Sequence, residues 1–252
     1  MVASSAVKFG IDRRRVAQLL SQTSNAACAG DRIDALSRSF LGYPYMANPL
    51  IGSAHTAEEF TASLDGFDCV TYIETVLALS RARRVDDFAD WLRKIRYEQG
   101  RIHWRRRNHY MTAWIRNNIC NGILRRVSPG AAATVSRERV LNVVPGLAAR
   151  KIRLRCVPKP ALRRLYLQTG DLIFFASTRR NLDIFHCGIV IRDGQSVRLR
   201  HASRSRAMVV EQELSEFLKT NRMAGVIVVR PQEFNRATAR ITPSTARGIS
   251  ST

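Results

Sequence analysis

The sequence lacks long hydrophobic runs and the regular cysteine spacing of metal or disulfide-stabilised domains. No apolar stretch approaches the roughly 20 residues that span a bilayer as a helix, and the longest, 172–176 and 226–229, have the length of strands. GxxxxGK[ST], GxGxxG and HExxH motifs are also absent, so we expect no cofactor and no metal. The cysteines are odd in number and include no CxxC pair, which disfavours a disulfide framework or a zinc ribbon: Cys28, Cys69, Cys120, Cys156 and Cys187.

Acidic residues and lysine are scarce. Against 20 acidic residues stand 41 basic ones, of which only five are lysine, and the formal net charge is +21. This balance favours anionic partners such as nucleic acid, an acidic membrane surface or a polymer that carries carboxylates. The alternative is an arginine-rich solvated surface, because the clusters at 13–15 and 105–107 are short. A nucleic-acid partner is not expected, since no helix-turn-helix pattern, aromatic platform or long basic stripe is present.

The N-terminal region lacks a legible export signal. RRRVAQLL (13–20) precedes SNAACAG (24–30), but the apolar run is too short for a signal peptide and polar residues interrupt it. We therefore interpret the segment as an amphipathic helix, and lipid attachment at Cys28 is disfavoured for the same reason. Localisation stays open between the cytoplasm and an unconventional export route, and the oligomeric state is not indicated.

The order of elements predicts an α+β fold, with helices first and an antiparallel sheet second. We expect one domain over residues 1–231, an irregular insertion at 127–163 with one or two short strands, and a polar, frayed tail at 232–252. The helix starts indicate acidic caps at Asp12, Asp31 and Asp86 or Asp87. The predicted helices are 11–22, 31–41, 69–84, 85–97, one from about 108, and 213–222, and the predicted strands include 170–177, the hairpin 185–203, 207–212 and 224–231.

The stretch GFDCVTYIETVLAL (66–79) places a cysteine at the start of an apolar helical pattern. Apolar residues follow Cys69 at four, seven and eight positions, so all share one helical stripe. Asp68, or alternatively Asp65, is suited to cap the first turn. Free N–H groups and the helix dipole at that turn lower the pKa of a thiol, which favours a nucleophile. Taken alone, the position also fits a packed core cysteine.

Two histidines occupy a predicted hairpin, FHCGIVIRDGQSVRLRHAS (185–203). Its Asp-Gly dipeptide lies between two alternating apolar runs, which is a strong signal for a two-residue turn. With these two residues as the loop, His186 and His201 are direct cross-strand partners on the same face, with Cβ atoms about 5 Å apart. The competing His103 and His109 lie in an arginine-rich loop without such a partner.

Together these residues predict nucleophilic catalysis. The thiolate of Cys69 would attack a carbonyl carbon, while His186 carries the proton and His201 fixes the tautomer of His186. The backbone N–H of Cys69 would meet the oxyanion. A zinc site built from the same three side chains is an alternative, although no motif with regular metal-ligand spacing occurs.

The order of these pieces resembles an N-acetylmuramoyl-L-alanine amidase-like family of bacterial domains, within the NlpC-type cell-wall cysteine peptidase superfamily. The resemblance implies a papain-like core, in which the cysteine-bearing helix packs on a small antiparallel sheet or half-barrel. It also implies a Cys–His–His triad on Cys69, His186 and His201, and hydrolysis of amide bonds in peptidoglycan or muropeptides. The matching segments lie between about residues 32 and 230: FLGYPYMANPL, FDCVTYIETVLAL, HYMTAWI, TGDLIFFAS, LDIFHCGIVI and LRHAS.

The resemblance further implies that Tyr45 and Asp68 line the substrate site. The superfamily's DCSG-like sequence is DCVT here, so Val70 replaces a serine hydroxyl. Arg105 and Arg107 are candidates for binding stem-peptide carboxylates, because arginine binds carboxylates through two hydrogen bonds. The alternative to the enzyme is a catalytically silent domain of the same fold that binds a muropeptide or a partner protein.

Overall fold

Helices and strands occupy different halves of the chain in the structure, a computed structural model that describes residues 11–128 and 133–233. Within those residues five α-helices come first: α1 (Arg13–Gln22), α2 (Ala29–Arg38), α3 (Cys69–Arg81), α4 (Val85–Arg96) and α5 (Met111–Cys120). The strands follow, with one more helix, α6 (Leu214–Thr220), before the last: β1 (Leu124–Val127), β2 (Val135–Leu141), β3 (Arg150–Cys156), β4 (Leu172–Ala176), β5 (Ile184–Asp193), β6 (Ser196–Ser203), β7 (Met208–Glu213) and β8 (Gly225–Pro231). The α+β prediction is confirmed.

The predicted antiparallel sheet is present and has six strands, in the order β1-β8-β4-β5-β6-β7, while β2 and β3 pair separately. Every residue of β4 is buried because both faces of the sheet are covered. Successive side chains of a strand point to opposite faces. Accordingly Phe174 packs on Trp114 of α5, with ring centroids 5.7 Å apart, and Phe175 packs on Phe217 of α6, at 4.4 Å. The sheet therefore lies between two helical layers.

Helix α3 is the centre of the larger helical layer. Its residues 71–80 are all buried, because α1, α2, α4, β5 and β6 surround it. The one buried acid on this helix, Glu74, is paired with Arg96 of α4 at 2.7 Å and accepts a hydrogen bond from the Trp114 indole at 3.0 Å. A buried charge is tolerated only when it is paired and hydrogen-bonded, so this cluster fixes α3 against α4 and α5.

Several predicted helix ends differ from the structure, and three of the differences have an identifiable contact as their cause. Helix α2 begins at Ala29, and its N-cap is the sulfur of Cys28, which accepts from the Asp31 N–H at 3.4 Å, so Asp31 is not the cap. Helix α3 ends at Arg81 rather than near residue 84, and Arg32 of α2 binds the next carbonyl, that of Ala82, at 2.7 Å. The start of α2 and the end of α3 therefore depend on contacts that the apolar spacing of each helix does not reveal.

The third difference is the start of α5, which lies at Met111 instead of Asn108. Asp183, in the loop before β5, accepts from the backbone N–H and the hydroxyl of Thr112, at 2.8 and 2.7 Å. A cap supplied from 71 residues away cannot be inferred from local sequence. At α4, by contrast, the candidate acid Asp87 does accept from the Arg84 N–H at 2.9 Å, in a capping box.

The insertion at 127–163 is more regular than predicted. Strands β2 and β3 pair over seven residues each, and a 3₁₀-helix follows at Lys159–Arg164. The hairpin is attached to the main sheet, because Arg139 donates to the Ser177 carbonyl at 2.8 Å and Val157 exchanges backbone hydrogen bonds with Val226. Its strands are rich in arginine on their exposed positions, which hid the alternation. Residues 129–132 lie outside the described residues.

The predicted register of the β5–β6 hairpin is wrong by two residues. Asp193 pairs with Ser196 and not within the loop, so the two-residue turn is Gly194-Gln195. Gly194 takes a φ of +58° whereas Gln195 does not enter the left-handed region, a pattern typical of a type II′ turn with glycine first. His186 and His201 are therefore diagonal neighbours instead of direct partners, but a shift by two keeps them on the same face.

The last described residues are held in place. Gln232 donates its N–H to the Ile123 carbonyl at 3.0 Å, and the Glu233 carboxylate accepts from the Ala29 N–H at 3.0 Å. The rest of the predicted tail, 234–252, lies outside the described residues, as do residues 1–10. Among the described helices, none has the length and apolar character needed to cross a membrane.

Candidate active site

Cys69 is the first residue of α3, and the helix cap formed by Asp68 does not use the backbone N–H of Cys69. The Asp68 carboxylate accepts from the N–H groups of Val70, at 3.0 Å, and Thr71, at 2.7 Å. The Asp68 carbonyl accepts the next N–H, that of Tyr72, at 3.1 Å. No described hydrogen bond uses the N–H of Cys69, and a first-turn N–H has no acceptor within its own helix. The half-buried Cys69 thus presents both its sulfur and its N–H.

The thiol of Cys69 is held in a setting that favours the thiolate. A hydrogen bond with the Cys187 thiol is the largest cause that lowers the pKa of Cys69, followed by a hydrogen bond and charge interaction with His186, and together these outweigh burial, which raises it. Burial and the neighbouring Cys69 raise the pKa of Cys187 well above its usual value. Ionisation is therefore favoured at Cys69 and disfavoured at Cys187.

His186 connects Cys69 to His201. Its Nε2 lies 2.6 Å from Nδ1 of His201, with the two rings nearly perpendicular at 85°. Since Nε2 is used, Nδ1 is the nitrogen of His186 that remains for the hydrogen bond with Cys69. Phe217 of α6 packs against both imidazoles, at centroid distances of 5.4 and 5.5 Å, and Phe175 stacks on His186. This packing restricts the rotation of both rings.

His201 remains neutral. Burial, and next the charges of His186 and Arg206, lower its pKa to about 3. A neutral imidazole carries one proton, so when His186 donates through Nε2, Nδ1 of His201 accepts and the proton of His201 sits on Nε2. That Nε2 is buried and has no hydrogen-bond partner among the described residues. That His201 fixes the tautomer of His186 stays a prediction, and the 2.6 Å contact between the two rings is the geometry that it requires.

The glycine of the His-x-Gly segment makes room for the second histidine. In the register of the hairpin Gly188 lies opposite His201, and a Cβ at Gly188 would fall 3.0 Å from the Cβ of His201 and 2.9 Å from the carbonyl oxygen of Arg200. The side chain of Arg200, 1% exposed, binds Asp34 of α2 at 2.9 Å and Glu211 of β7. Close strand approach and this ion-pair network hold His201 in place.

Tyr45 and Asp68 interact electrostatically with Cys69, while their role in lining a substrate site stays a prediction. The Tyr45 N–H donates to the Ala207 carbonyl at 2.8 Å, and Tyr45 forms a β-bridge with Phe67. Burial, and then the negative charges of Cys69 and Asp68, raise the pKa of Tyr45. Burial and next the charge of Cys69 raise the pKa of Asp68 to about 6. Both residues therefore share the electrostatic field of the thiolate.

The two arginines predicted to bind substrate are placed differently from each other. Arg107 is already engaged, because its guanidinium pairs with the buried Glu58 at 3.2 Å and donates to the Gly52 carbonyl. Arg105 is exposed on a short 3₁₀-helix and forms no ion pair with a described residue. Nothing in the contacts joins either guanidinium to Cys69.

The arginines that interact with the site are Arg204 and Arg206, which sequence reasoning missed. Both are exposed in the turn between β6 and β7, and neither forms an ion pair with a described residue. The turn is attached to the site by the hydrogen bond between Ala207 and Tyr45. The charge of Arg204 acts on Tyr45 and that of Arg206 on His201. The signal was present in the sequence as HASRSR, directly after the second histidine.

The competing histidines do not reach the thiol. His109 bonds the Trp104 carbonyl at 2.7 Å and packs on the Trp104 ring, and Nδ1 of His103 accepts from the Arg105 N–H. Across residues 11–128 and 133–233, no group of three or more His, Cys, Asp or Glu side chains is arranged to hold a metal ion. The zinc alternative therefore gains no support from the geometry.

A cavity of about 440 Å³ lies elsewhere, between the β2–β3 hairpin and the β1–β8 edge of the sheet. Tyr110, Arg126, Leu154 and Ile227 are among its lining residues, whereas Cys69 and the histidine pair are not.

An α+β protein with a helix-borne cysteine beside a strand-borne histidine pair is the class that the fold and these side chains define. The family comparison is narrower: residues 35–226 match the AmiA-like, N-acetylmuramoyl-L-alanine amidase-like family, and the chain belongs to this family. No curated protein matches the sequence.

Solved structures share the fold. A Legionella pneumophila protein of the DUF1460 family superposes with a TM-score of 0.76 at 21% identity, over 88% of this chain and 95% of its own, which shows the fold alone. An N-acetylmuramoyl-L-alanine amidase from Bacteroides uniformis has a TM-score of 0.70 at 27% identity, with 81% and 99% covered. A Bacteroides fragilis protein named as a candidate xylanase superposes with a TM-score of 0.65 at 26% identity, over 77% of this chain and 98% of its own. The family and the amidase neighbour support a cell-wall hydrolase-like function.

Proposed function

We propose that the protein is a cysteine-dependent amidase that cleaves amide bonds in peptidoglycan or muropeptides, with a Cys–His–His triad on a papain-like core of the NlpC type. The observation that carries the proposal is the contact chain from the thiol of Cys69 through His186 to the buried, neutral His201. These three residues come from a helix start and two strands that are far apart in the sequence. The packing of a cysteine-bearing helix on an antiparallel sheet supports the papain-like core.

The chemistry starts from the thiolate of Cys69 and the imidazolium of His186. The sulfur attacks the amide carbon, and the carbonyl oxygen becomes an oxyanion within reach of the unused N–H of Cys69. His186 gives its Nδ1 proton to the nitrogen of the scissile bond, which leaves as an amine while the acyl group stays on sulfur as a thioester. His186 then takes a proton from water, the resulting hydroxide attacks the thioester, and the acid product leaves the regenerated thiolate.

His201 acts through His186 instead of touching the substrate. Its neutral Nδ1 accepts from Nε2–H of His186, which keeps the other nitrogen of His186 directed at the sulfur. Because His201 does not take up the proton itself at neutral pH, the proton stays available on the side of His186 that faces the scissile bond.

The substrate contacts follow from the charges around the thiol. Tyr45 and Asp68 are proposed to line the site, as in the superfamily that the sequence resembles. For carboxylates of the stem peptide we assign Arg204 and Arg206, whose guanidinium groups are exposed and unpaired among the described residues. Arg105 remains a second candidate, while Arg107 is occupied by Glu58. Exposed arginines beside the site would attract an acidic polymer to it.

The test is digestion of purified peptidoglycan and of soluble muropeptides, with mass spectrometry of the products. Wild-type protein should release fragments whose new termini identify the bond that is cleaved. Cys69→Ala should release none while keeping the thermal unfolding midpoint, and Cys120→Ala, which removes an exposed cysteine on α5, should behave as wild type. Equal digestion by wild type and Cys69→Ala would refute the nucleophile. Binding of muropeptides without any cleavage by wild type would instead identify a catalytically silent domain.

A further inference from the structure

The proposed reaction uses one thiol, but a second one touches it. Cys187 follows His186 on β5, is 1% exposed, and donates its S–H to the carbonyl oxygen of Cys69 at 3.2 Å. Cys187 is also the residue that lowers the pKa of Cys69 most. No step of the hydrolysis needs a thiol at this position, so its contact with the nucleophile calls for a separate explanation.

The pKa values of the two thiols are shifted in opposite directions. The neighbours of Cys69 lower its pKa, whereas burial and then the neighbouring Cys69 raise the pKa of Cys187. A thiolate reacts with peroxides far more readily than a thiol does. An oxidant that enters this half-buried site therefore reacts at Cys69 first and leaves a reduced thiol in contact with the product.

We infer that Cys69 and Cys187 form a site of reversible oxidative modification, in which a hydroperoxide oxidises Cys69 and Cys187 resolves it as an intramolecular disulfide. The inference rests on the assignment of Cys69 in the proposed function, but it concerns a separate reaction with its own product.

The steps balance with hydrogen peroxide as the oxidant. The thiolate of Cys69 attacks one peroxide oxygen, the O–O bond breaks, and Cys69 sulfenic acid forms with release of hydroxide, so sulfur is oxidised and peroxide reduced. The sulfur of Cys187 then attacks the sulfur of the sulfenic acid, the S–OH bond breaks, and the Cys187 proton leaves with the hydroxyl as water.

The first step prepares the second one. The charge of Cys69 and its hydrogen bond are two of the causes that raise the pKa of Cys187, and both change when the thiolate becomes a neutral sulfenic acid. Cys187 then becomes easier to ionise and more reactive as the attacking thiol. Because the sulfur of Cys187 already lies 3.2 Å from the carbonyl oxygen of Cys69, closing the bond requires only a local shift at the start of α3 and in β5. A dithiol reductant reverses the change and frees the nucleophile.

The consequence of disulfide formation is that Cys69 is protected against irreversible oxidation. A sulfenic acid without a resolving thiol is oxidised further to sulfinic and sulfonic acids, which thiol reductants do not restore. An enzyme with a single exposed nucleophilic cysteine would be inactivated permanently under peroxide, whereas this pair stores the nucleophile as a disulfide.

The experiment treats the reduced full-length protein with a small molar excess of hydrogen peroxide and then maps the peptides by mass spectrometry. Wild type should lose two hydrogens and yield a crosslinked peptide that joins Cys69 to Cys187, and dithiothreitol should reverse both changes. Cys187→Ala and Cys187→Ser should form no crosslink and accumulate Cys69 with two or three added oxygens. Cys120→Ala should match wild type.

Two results would overturn the inference: sulfinic or sulfonic acid at Cys69 in wild type without the crosslink, or a crosslink from Cys69 to another cysteine. The mass readout does not require hydrolysis. A crosslink in a protein that digests no peptidoglycan would therefore refute the proposed function and leave this inference intact. Digestion of peptidoglycan without the crosslink would refute this inference and leave the proposed function intact.

Discussion

The reactivity of Cys69 can be tested through the residue that helps to ionise it. Thiols react with iodoacetamide as thiolates, so a lowered pKa moves the labelling of Cys69 to lower pH than that of an ordinary cysteine. His186→Ala removes both the hydrogen bond and the positive charge that His186 supplies, and the pKa of Cys69 should rise toward the ordinary value of about 8.5. At that value only about 1% of the thiol is ionised at a pH two units lower.

The expected size of the effect follows from this fraction. Since a more basic thiolate is also a better nucleophile, part of the loss is regained, and labelling of Cys69 at about pH 6.5 should slow on the order of tenfold. The Cys187 hydrogen bond is retained in the variant, which is why the loss should not be complete. The assay is peptide-resolved mass spectrometry over time from pH 5 to 9.

The exposed Cys120 provides an internal reference in the same samples. In wild type, Cys69 should be alkylated faster than Cys120 at low pH in spite of its lower exposure. Labelling of Cys69 that is slower than that of Cys120 at every pH would refute the activated thiol, and an unchanged profile in His186→Ala would remove His186 from contact with it.

Three other variants test the orienting histidine, the carboxylate contacts and the buried ion pair, and a fourth is a control. His201→Ala should lower kcat on peptidoglycan by less than His186→Ala does and leave KM nearly unchanged, because an orienting residue acts through the proton carrier; equal kcat in His201→Ala and wild type would remove it from the site. Arg204→Gln combined with Arg206→Gln should raise KM severalfold for muropeptides but not for their carboxyl-amidated forms, and equal losses on both would refute carboxylate binding. Arg96→Met leaves its carboxylate partner buried and unpaired, which costs about 3–5 kcal/mol or on the order of 10 °C in the unfolding midpoint. Arg13→Gln, which removes an exposed pair, should leave the midpoint nearly unchanged in the same calorimetric scans.

The sequence predicted the elements better than their ends. Apolar spacing in residues 66–79 and the acid before the cysteine located the start of α3 correctly, because the cap and its helix are adjacent in the chain. The start of α5 was missed, because its cap is Asp183. Local patterns record what a segment does by itself, and they carry no information about a partner that folding brings from elsewhere.

The site shows the same division. The histidines were predicted to share a face, and the structure places them in contact even though the register of the hairpin differs by two residues. A register shift of two residues keeps each side chain on the same face of the sheet, but His186 and His201 are then no longer directly opposite each other. The arginines were predicted by composition alone, which is why Arg107 was chosen and Arg204 overlooked: a guanidinium occupied by Glu58 looks the same in the sequence as a free one.

The position of Cys187 follows from the geometry that positions His186. A strand alternates its side chains, so Cys187 and His186 lie on opposite faces of β5, and Cys187 lies on the face that packs on α3. Any residue there is in contact with the start of α3, and its size and polarity act directly on Cys69. An aliphatic side chain at this place would only desolvate the thiolate and raise its pKa, whereas a thiol also donates a hydrogen bond and lowers it. Cys187 both lowers the pKa of Cys69 and places a second sulfur beside that residue, so the proposed activation and the proposed sensitivity to oxidants have one structural origin.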